Sequence, residues 1–276
     1  MRLIHDIIVS KHQLTVKINP KLKSYFAEDF WFKCDALDLE SIPQEILLIP
    51  FILNIAPVVW ANDLLVELPF IDSNLQRSLA IVKSQFINIY PDLAWNGSIA
   101  STKLVASDLE AVDESTITLL FNGGVDSVNA SQELINYKQL LVTVRGADIK
   151  LDDEIGWDEV KASVHTYASR INAKTFFIES NFTNFLNHNS LAKNIKCIPD
   201  WWGNVQHGIG LAGFMALPAW QYGVRGMLMA SDFSKAQMQG LQWGGLTPII
   251  ENASWNNCTV NHASTNITRQ EKINKL

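Results

Sequence analysis

Residues 118–127 read Thr-Leu-Leu-Phe-Asn-Gly-Gly-Val-Asp-Ser. An apolar run enters two adjacent glycines and leaves through an Asp-Ser pair. Gly123 and Gly124 let the backbone turn sharply and approach a ligand without a Cβ in the way. The amides of such a turn, backed by a helix N-terminus, form an anion site. Phe121, Asn122, Gly123, Gly124, Val125 and Ser127 are therefore the candidate contacts to a nucleotide's phosphates. Asn122 can donate through its amide and Ser127 through its hydroxyl. A carboxylate does not favour a bare phosphate, so Asp126 is assigned to Mg²⁺ riding on the phosphates, and it heads the candidate catalytic residues. An ordinary turn stays open beside this, because Asn-Gly between apolar residues also signals a hairpin. Asp126 or Ser127 would equally serve as an N-cap. Val125, Val128, Gln132 and Ile135 fit a helical face better than a period of two. No Gly-Lys-Ser/Thr follows the glycines, so the segment is not a Walker loop.

Other chemistry-bearing residues are scattered. His207 follows Trp201-Trp202-Gly203 and precedes Gly208 and Gly210. It is a candidate to polarise a phosphate or activate a nucleophile, with a packing histidine as the alternative. Lys235, Arg145 and Arg225 are the cations considered for phosphate, against a default of solvated surface. Ser231-Asp232, at the end of an expected strand, would bind substrate or Mg²⁺, or cap a helix. Trp201, Trp202, Trp243 and Trp255 would wall an aromatic pocket or pack a core. The chain holds no HExxH, no zinc-finger spacing and no cysteine-nucleophile constellation.

Periodicity sets out the elements that must position these groups. Residues 3–9, 14–18, 30–34 and 64–68 are short β-rich runs. Leu75, Leu79, Val82, Phe86 and Ile89 form one face of a helix over residues 72–90, which Pro91 stops. A strand is expected over 99–105. Residues 108–115 are acidic and mark the expected boundary between two units. Residues 1–112 form a smaller α+β module without an assignable motif, and residues 113–276 form a nucleotide-binding α/β domain. In the second unit strands at 117–121, 140–144, 175–178 and 226–229 alternate with helices at 126–137, 157–171 and 204–217. That alternation predicts an α/β fold with a mostly parallel sheet and helices on both faces. Residues 251–276 are Asn-rich and polar, with little to bury.

Composition narrows the function classes. The chain has 276 residues, 47% hydrophobic and 18% charged, enough apolar material for a sizeable core. A net charge of -6 counts against nucleic acid as the partner. The most apolar stretch, 46–60, is interrupted by Pro50, Asn54 and Pro57 and falls short of the ~20 residues of a membrane span. The N-terminus lacks the continuous apolar segment of a signal peptide. Cys34, Cys197 and Cys258 form no disulfide framework, so the expected setting is the cytoplasm.

Gly123-Gly124-Val125-Asp126-Ser127 resembles the Ser-Gly-Gly-x-Asp-Ser loop of the PP-loop ATP pyrophosphatases, in the adenine nucleotide alpha hydrolase superfamily. Weaker similarity to a poorly characterised bacterial branch covers residues 115–272. It rests on residues 144–148, His207-Gly208, Ser231-Asp232, Trp243-Gly244-Gly245 and Pro248. Asn122 stands where the family usually has Ser. Relatives tend to continue past residues 268–272 into a Cys-containing tail, and this sequence ends at Leu276 without one. The resemblance implies a Rossmann-like sheet and cofactors ATP and Mg²⁺. It implies transfer of AMP to a carboxylate or carbonyl oxygen of a small molecule or peptide, with pyrophosphate leaving. A nitrogen or sulfur nucleophile would then displace AMP. Val144, Arg145, Gly146 and Ser231 would lie near the nucleotide, outside the carboxyl ends of strands. A degenerate, non-catalytic nucleotide-binding protein or subunit is the alternative. A homodimer is among the expected assemblies.

Overall fold

A computed structural model of the chain describes residues 1–106, 109 and 112–276. Of the expected boundary segment 108–115, Asp108, Glu110 and Ala111 lie outside the described residues. The first half contains β1 (Ile4–Ser10), β2 (Gln13–Ile18), β3 (Phe30–Lys33), α1 (Gln44–Leu47), α2 (Ile49–Ala61), β4 (Leu65–Leu68), β5 (Ile71–Asp72), α3 (Ser73–Ile89), β6 (Ser98–Ser101) and β7 (Leu104–Val105). The second half begins with β8 (Thr116–Leu120), α4 (Val125–Glu133), β9 (Lys138–Arg145), α5 (Glu154–Ile171), β10 (Lys174–Ser180) and α6 (His188–Asn194). It continues through α7 (His207–Ala212), α8 (Ala216–Gln221), β11 (Gly226–Ala230), α9 (Lys235–Met238), α10 (Thr247–Ile250), β12 (Ser254–Trp255), β13 (Cys258–Ala263) and α11 (Arg269–Lys275).

Nine strands form one sheet in the order β1-β2-β3-β10-β9-β8-β11-β13-β12. The five central strands, β10, β9, β8, β11 and β13, are mutually parallel. β1, β2, β3 and β12 are antiparallel to their neighbours, so the sheet as a whole is mixed. The cause lies in residues 1–34, whose strands do not pair only among themselves. β3 hydrogen-bonds to β10, with Lys33 opposite Glu179 and Phe32 opposite Ser180. Phe30, Phe32, Phe51, Phe176 and Ile178 share one buried cluster. Sheet and core therefore both run across the division expected near residue 112.

Side chains along the parallel strands alternate between two faces, as the two-residue period of a strand demands. Leu140, Val142, Phe176, Ile178, Met227 and Val260 enter the larger cluster, which α2 and residues 209–219 fill from outside the sheet. Leu119, Leu141 and Ala263 enter a smaller one, closed by Ala130 of α4 and by Val164 and Ala168 of α5. α2 is the apolar stretch noted at 46–60, and every one of its residues is buried. Among the described residues no helix is long and apolar enough to cross a membrane.

Other differences from expectation have local causes. The strand expected over 99–105 splits into β6 and β7, which pair with β4 and β5 respectively. The helix expected over 126–137 ends at Glu133. The helix expected over 204–217 is a broken series: a π-helical turn at Trp202–Gln206, α7, a 3₁₀ turn at Gly213–Met215 and α8. The polar tail is the largest correction. Trp255, Cys258, Val260 and Lys272 are buried, and the tail supplies two strands and a helix. Its Asn content is turn chemistry. Asn256 and Asn257 have φ of 48° and 57° between the paired Trp255 and Cys258, the two positive values that a type I′ hairpin requires. Asp72 secures this hairpin, its Oδ1 accepting from Asn256 N at 3.0 Å and from Leu75 N at 2.8 Å.

Candidate functional site

The chain runs from β8 outward to β9 and β10, then crosses to the other flank of β8 as β11. Connections leaving the carboxyl ends of β8 and β11 therefore diverge. Crevices open at such a switch in strand order, and ligands bind there. A cavity of about 290 Å³ lies at this point. Small-molecule pockets start at ~300 Å³. Its apolar side is made by strand ends and α7: Leu120, Val142, Val144, Leu211 and Met229. Its polar side comes from five places in the chain. Asn122, Gly124, Asp126 and Ser127 follow β8; Asp148 follows β9; Asp232 follows β11; His207 and Arg269 open α7 and α11.

The diglycine turn is not a hairpin. β8 leads through Gly123, with φ of 80°, directly into α4, whose N-cap is Gly124. The left-handed backbone at Gly123 explains a glycine there. Asn122 folds back over the turn. Its Oδ1 accepts from Gly124 N and from Ser127 Oγ, both at 3.0 Å. Ser127 Oγ also lies 3.0 Å from Gly124 O. Two of the donors that the loop would offer an anion are thus engaged by its own asparagine.

Asp126 is buried and faces two cations from α11. Lys272 Nζ donates to its Oδ1 at 2.9 Å, and Arg269 Nη1 lies 3.8 Å from its Oδ2. Lys272 is fully buried and also donates to the Ser231 carbonyl. Burial raises the pKa of Asp232; His207 opposes that rise and the Asp126 carboxylate adds to it.

His207 begins α7 immediately after the π-helical turn, an irregularity that often accompanies functional positions. Its ring lies between Trp202, at 5.1 Å and 77°, and Trp243, at 5.0 Å and 41°. Gly208 lets this helix approach the backbone at 244–245, because a Cβ there would fall 2.5 Å from Gly245 Cα. Burial lowers the His207 pKa, opposed by Asp232, Asp148 and Asp200. Its Nδ1 is buried without a hydrogen-bond partner among the described residues. Burial thus disfavours the imidazolium, and one ring nitrogen is left unpartnered beside the cavity.

Phe121, Asn122, Gly124, Asp126, Ser127, Val144 and His207, all singled out from sequence, meet at this cavity. Gly123 and Val125 shape the loop without lining it. Ser231 is buried at the end of β11, with its hydroxyl donating to the Phe233 carbonyl. Gly146 turns the chain at φ of 124°, its N–H on the Ile149 carbonyl.

All three expected cations are elsewhere. Arg145 is 1% exposed and committed to Glu154 and Glu179, each at 2.8 Å, and to the carbonyls of Lys150 and Leu151. It is a structural clamp rather than a phosphate ligand. Lys235 is exposed on α9 and does not line the cavity, and Arg225 precedes β11 at the other end of the sheet. Trp255 packs in the core, whereas Trp202 and Trp243 flank His207. The sequence reading passed over Arg269 and Lys272 as functional groups. Thr268 and Glu271 form a capping box. That pattern announces a helix and places Arg269 and Lys272 on one face.

Among the described residues no group of three or more His, Cys, Asp or Glu side chains is arranged to hold a metal. Lys272 on Oδ1 leaves only Oδ2 of Asp126 outside that contact. An ion carried mainly by phosphates needs one or two protein carboxylates, and Asp126, Asp148 and Asp232 line the cavity. Cys34, Cys197 and Cys258 are free thiols, the first and last buried. No protein-family model, no curated protein and no solved structure matches this chain.

Proposed function

We propose that the protein is an ATP-dependent, adenylate-forming enzyme of the PP-loop type, with a Rossmann-like arrangement of its central strands. The observation that carries this reading is the diglycine turn at the carboxyl end of β8, running into α4 beside a cavity at the strand-order switch. The apolar strand ends suit a nucleoside, while Gly124 N, Ser127 Oγ and Arg269 are the donors for its phosphates. Asp126 and Asp232 would hold Mg²⁺, which would supply charge neutralisation on the leaving pyrophosphate. A carboxylate or carbonyl oxygen of a small molecule or peptide attacks the α-phosphate, and the protein's part is positioning and charge stabilisation. His207, which lines the same cavity with Nδ1 unpartnered, accepts the proton of the nitrogen or sulfur nucleophile that displaces AMP. A cytoplasmic setting, where ATP is abundant, belongs to the same proposal, as does assembly as a homodimer.

A second reading rests on Asn122, which occupies the loop's own donors. It makes the protein a nucleotide-binding subunit without turnover. Incubation with ATP, Mg²⁺ and a panel of carboxylate and amine acceptors separates the two. Release of AMP and pyrophosphate, abolished in Asp126→Ala with the fold intact by circular dichroism, supports the enzyme. Nucleotide binding without AMP supports the second reading. ADP and orthophosphate as products refute both.

A further inference from the structure

Lys272 lies on a short helix of otherwise half-polar, exposed residues, yet its side chain is 0% exposed. A buried ammonium persists only with partners that replace its water. Here they are Asp126 Oδ1, at 2.9 Å, and the Ser231 carbonyl at the end of β11. Arg269, three residues earlier on the same face, stands 3.8 Å from the other carboxylate oxygen. Asp148 and Asp232 line the same cavity as Asp126. A polyphosphate entering there would meet three carboxylates beside one peripheral arginine. Like charges at that range, in a partly dry cavity, oppose binding strongly.

Lys272 does not line the cavity, so it does not touch what binds there. It reaches the ligand only through Asp126. Resting on the reading of the loop as a polyphosphate site, we infer that Lys272 is a positioning residue whose ammonium cancels the charge of Asp126. It also pins that carboxylate against β11, so the turn can accept an anion. α11 is on this account part of the binding apparatus, although it lies about 140 residues beyond the loop in sequence, the Asp126 to Lys272 separation being 146.

The test is a calorimetric titration of inorganic pyrophosphate into the wild-type chain, K272M, D126N and the double variant D126N/K272M, with circular dichroism and thermal unfolding on each. Met keeps the bulk of the lysine stem. Charge cancellation predicts that K272M loses about tenfold or more in affinity, and that D126N/K272M returns to within about threefold of wild type. A merely structural lysine predicts that the affinity of each variant follows its unfolding midpoint, whereas charge cancellation predicts the loss in K272M even at temperatures where that variant is fully folded. K272M that binds like wild type overturns the inference, as does a folded double variant as weak as K272M. If K272M alone does not fold, the double variant decides, since replacing both members of a buried ion pair is far better tolerated than removing one. Wild-type-like affinity then supports the inference and a tenfold loss overturns it. A wild-type chain that does not bind pyrophosphate overturns both this inference and the proposed function, whereas the variant results bear on the inference alone.

Discussion

Replacing Asn122 should strengthen binding of an anion at the loop, against the usual expectation for a residue in a binding turn. Its Oδ1 accepts from Gly124 N and Ser127 Oγ, each at 3.0 Å. A phosphate oxygen must win those donors from it. Net worth for a neutral hydrogen bond is about 0.5–1.5 kcal/mol, so the two together set a competing term of about 1–3 kcal/mol. Asn122→Ala removes the competitor and should tighten pyrophosphate about 5- to 150-fold. Asn122→Asp puts a full negative charge on the same donors and should abolish binding, since charge-assisted contacts are roughly twice as strong. Isothermal titration of pyrophosphate into the three proteins gives the sign directly, with far-ultraviolet circular dichroism as the check on α4. If Asn122→Ala binds more weakly than wild type, the amide is a ligand to the phosphate and not a plug. The reasoning would then be wrong.

Two further outcomes follow from the same geometry. Arg145→Met leaves Glu179, with a side chain only 22% exposed, without its buried guanidinium. Glu179 keeps Lys33 at 3.1 Å, so stability in urea should fall by about 1–3 kcal/mol, while a variant of unchanged stability with impaired nucleotide binding would return Arg145 to the site. His262 is held to a pKa of about 4, first by burial and then by the nearby Lys272 ammonium. Unfolded, it titrates near 6.5. The unfolded chain therefore binds the extra proton first as the pH falls from 6.5 to 4. His262 should cost the fold about 3 kcal/mol across that window. Its Nδ1 lies 2.9 Å from Thr247 Oγ1, so His262→Asn keeps an acceptor there. Urea midpoints for that variant should lose most of this pH slope, and an unchanged slope would place the titration on another group.

The central strands and the turn were legible because their signals are local. The runs ending at Phe121, Val144 and Met229 are apolar apart from Thr118 and Thr143, as suits strands covered on both faces. Gly123-Gly124 announced a turn whatever lay beyond it. The tail was misread because its apolar residues are sparse. Trp255, Cys258 and Val260 are few, and the Asn256-Asn257 pair that joins their strands looks like simple polarity until it is recognised as a turn. Arg145 was assigned to phosphate and Lys272 was passed over for one reason. The type of a charged residue does not reveal its partner, and Glu154, Glu179 and Asp126 are known to be partners only once the chain is folded.

The seam between β3 and β10 sets a timetable. Trp31 N donates to Asn181 Oδ1 across a separation of 150 residues. At the ordinary pace of translation the first three strands wait on the order of ten seconds or more before the strand they dock on has been made. Phe30 and Phe32 spend that interval without their later cover. Nascent chains should engage holding chaperones early, and release should track the emergence of residues 174–186 from the ribosome.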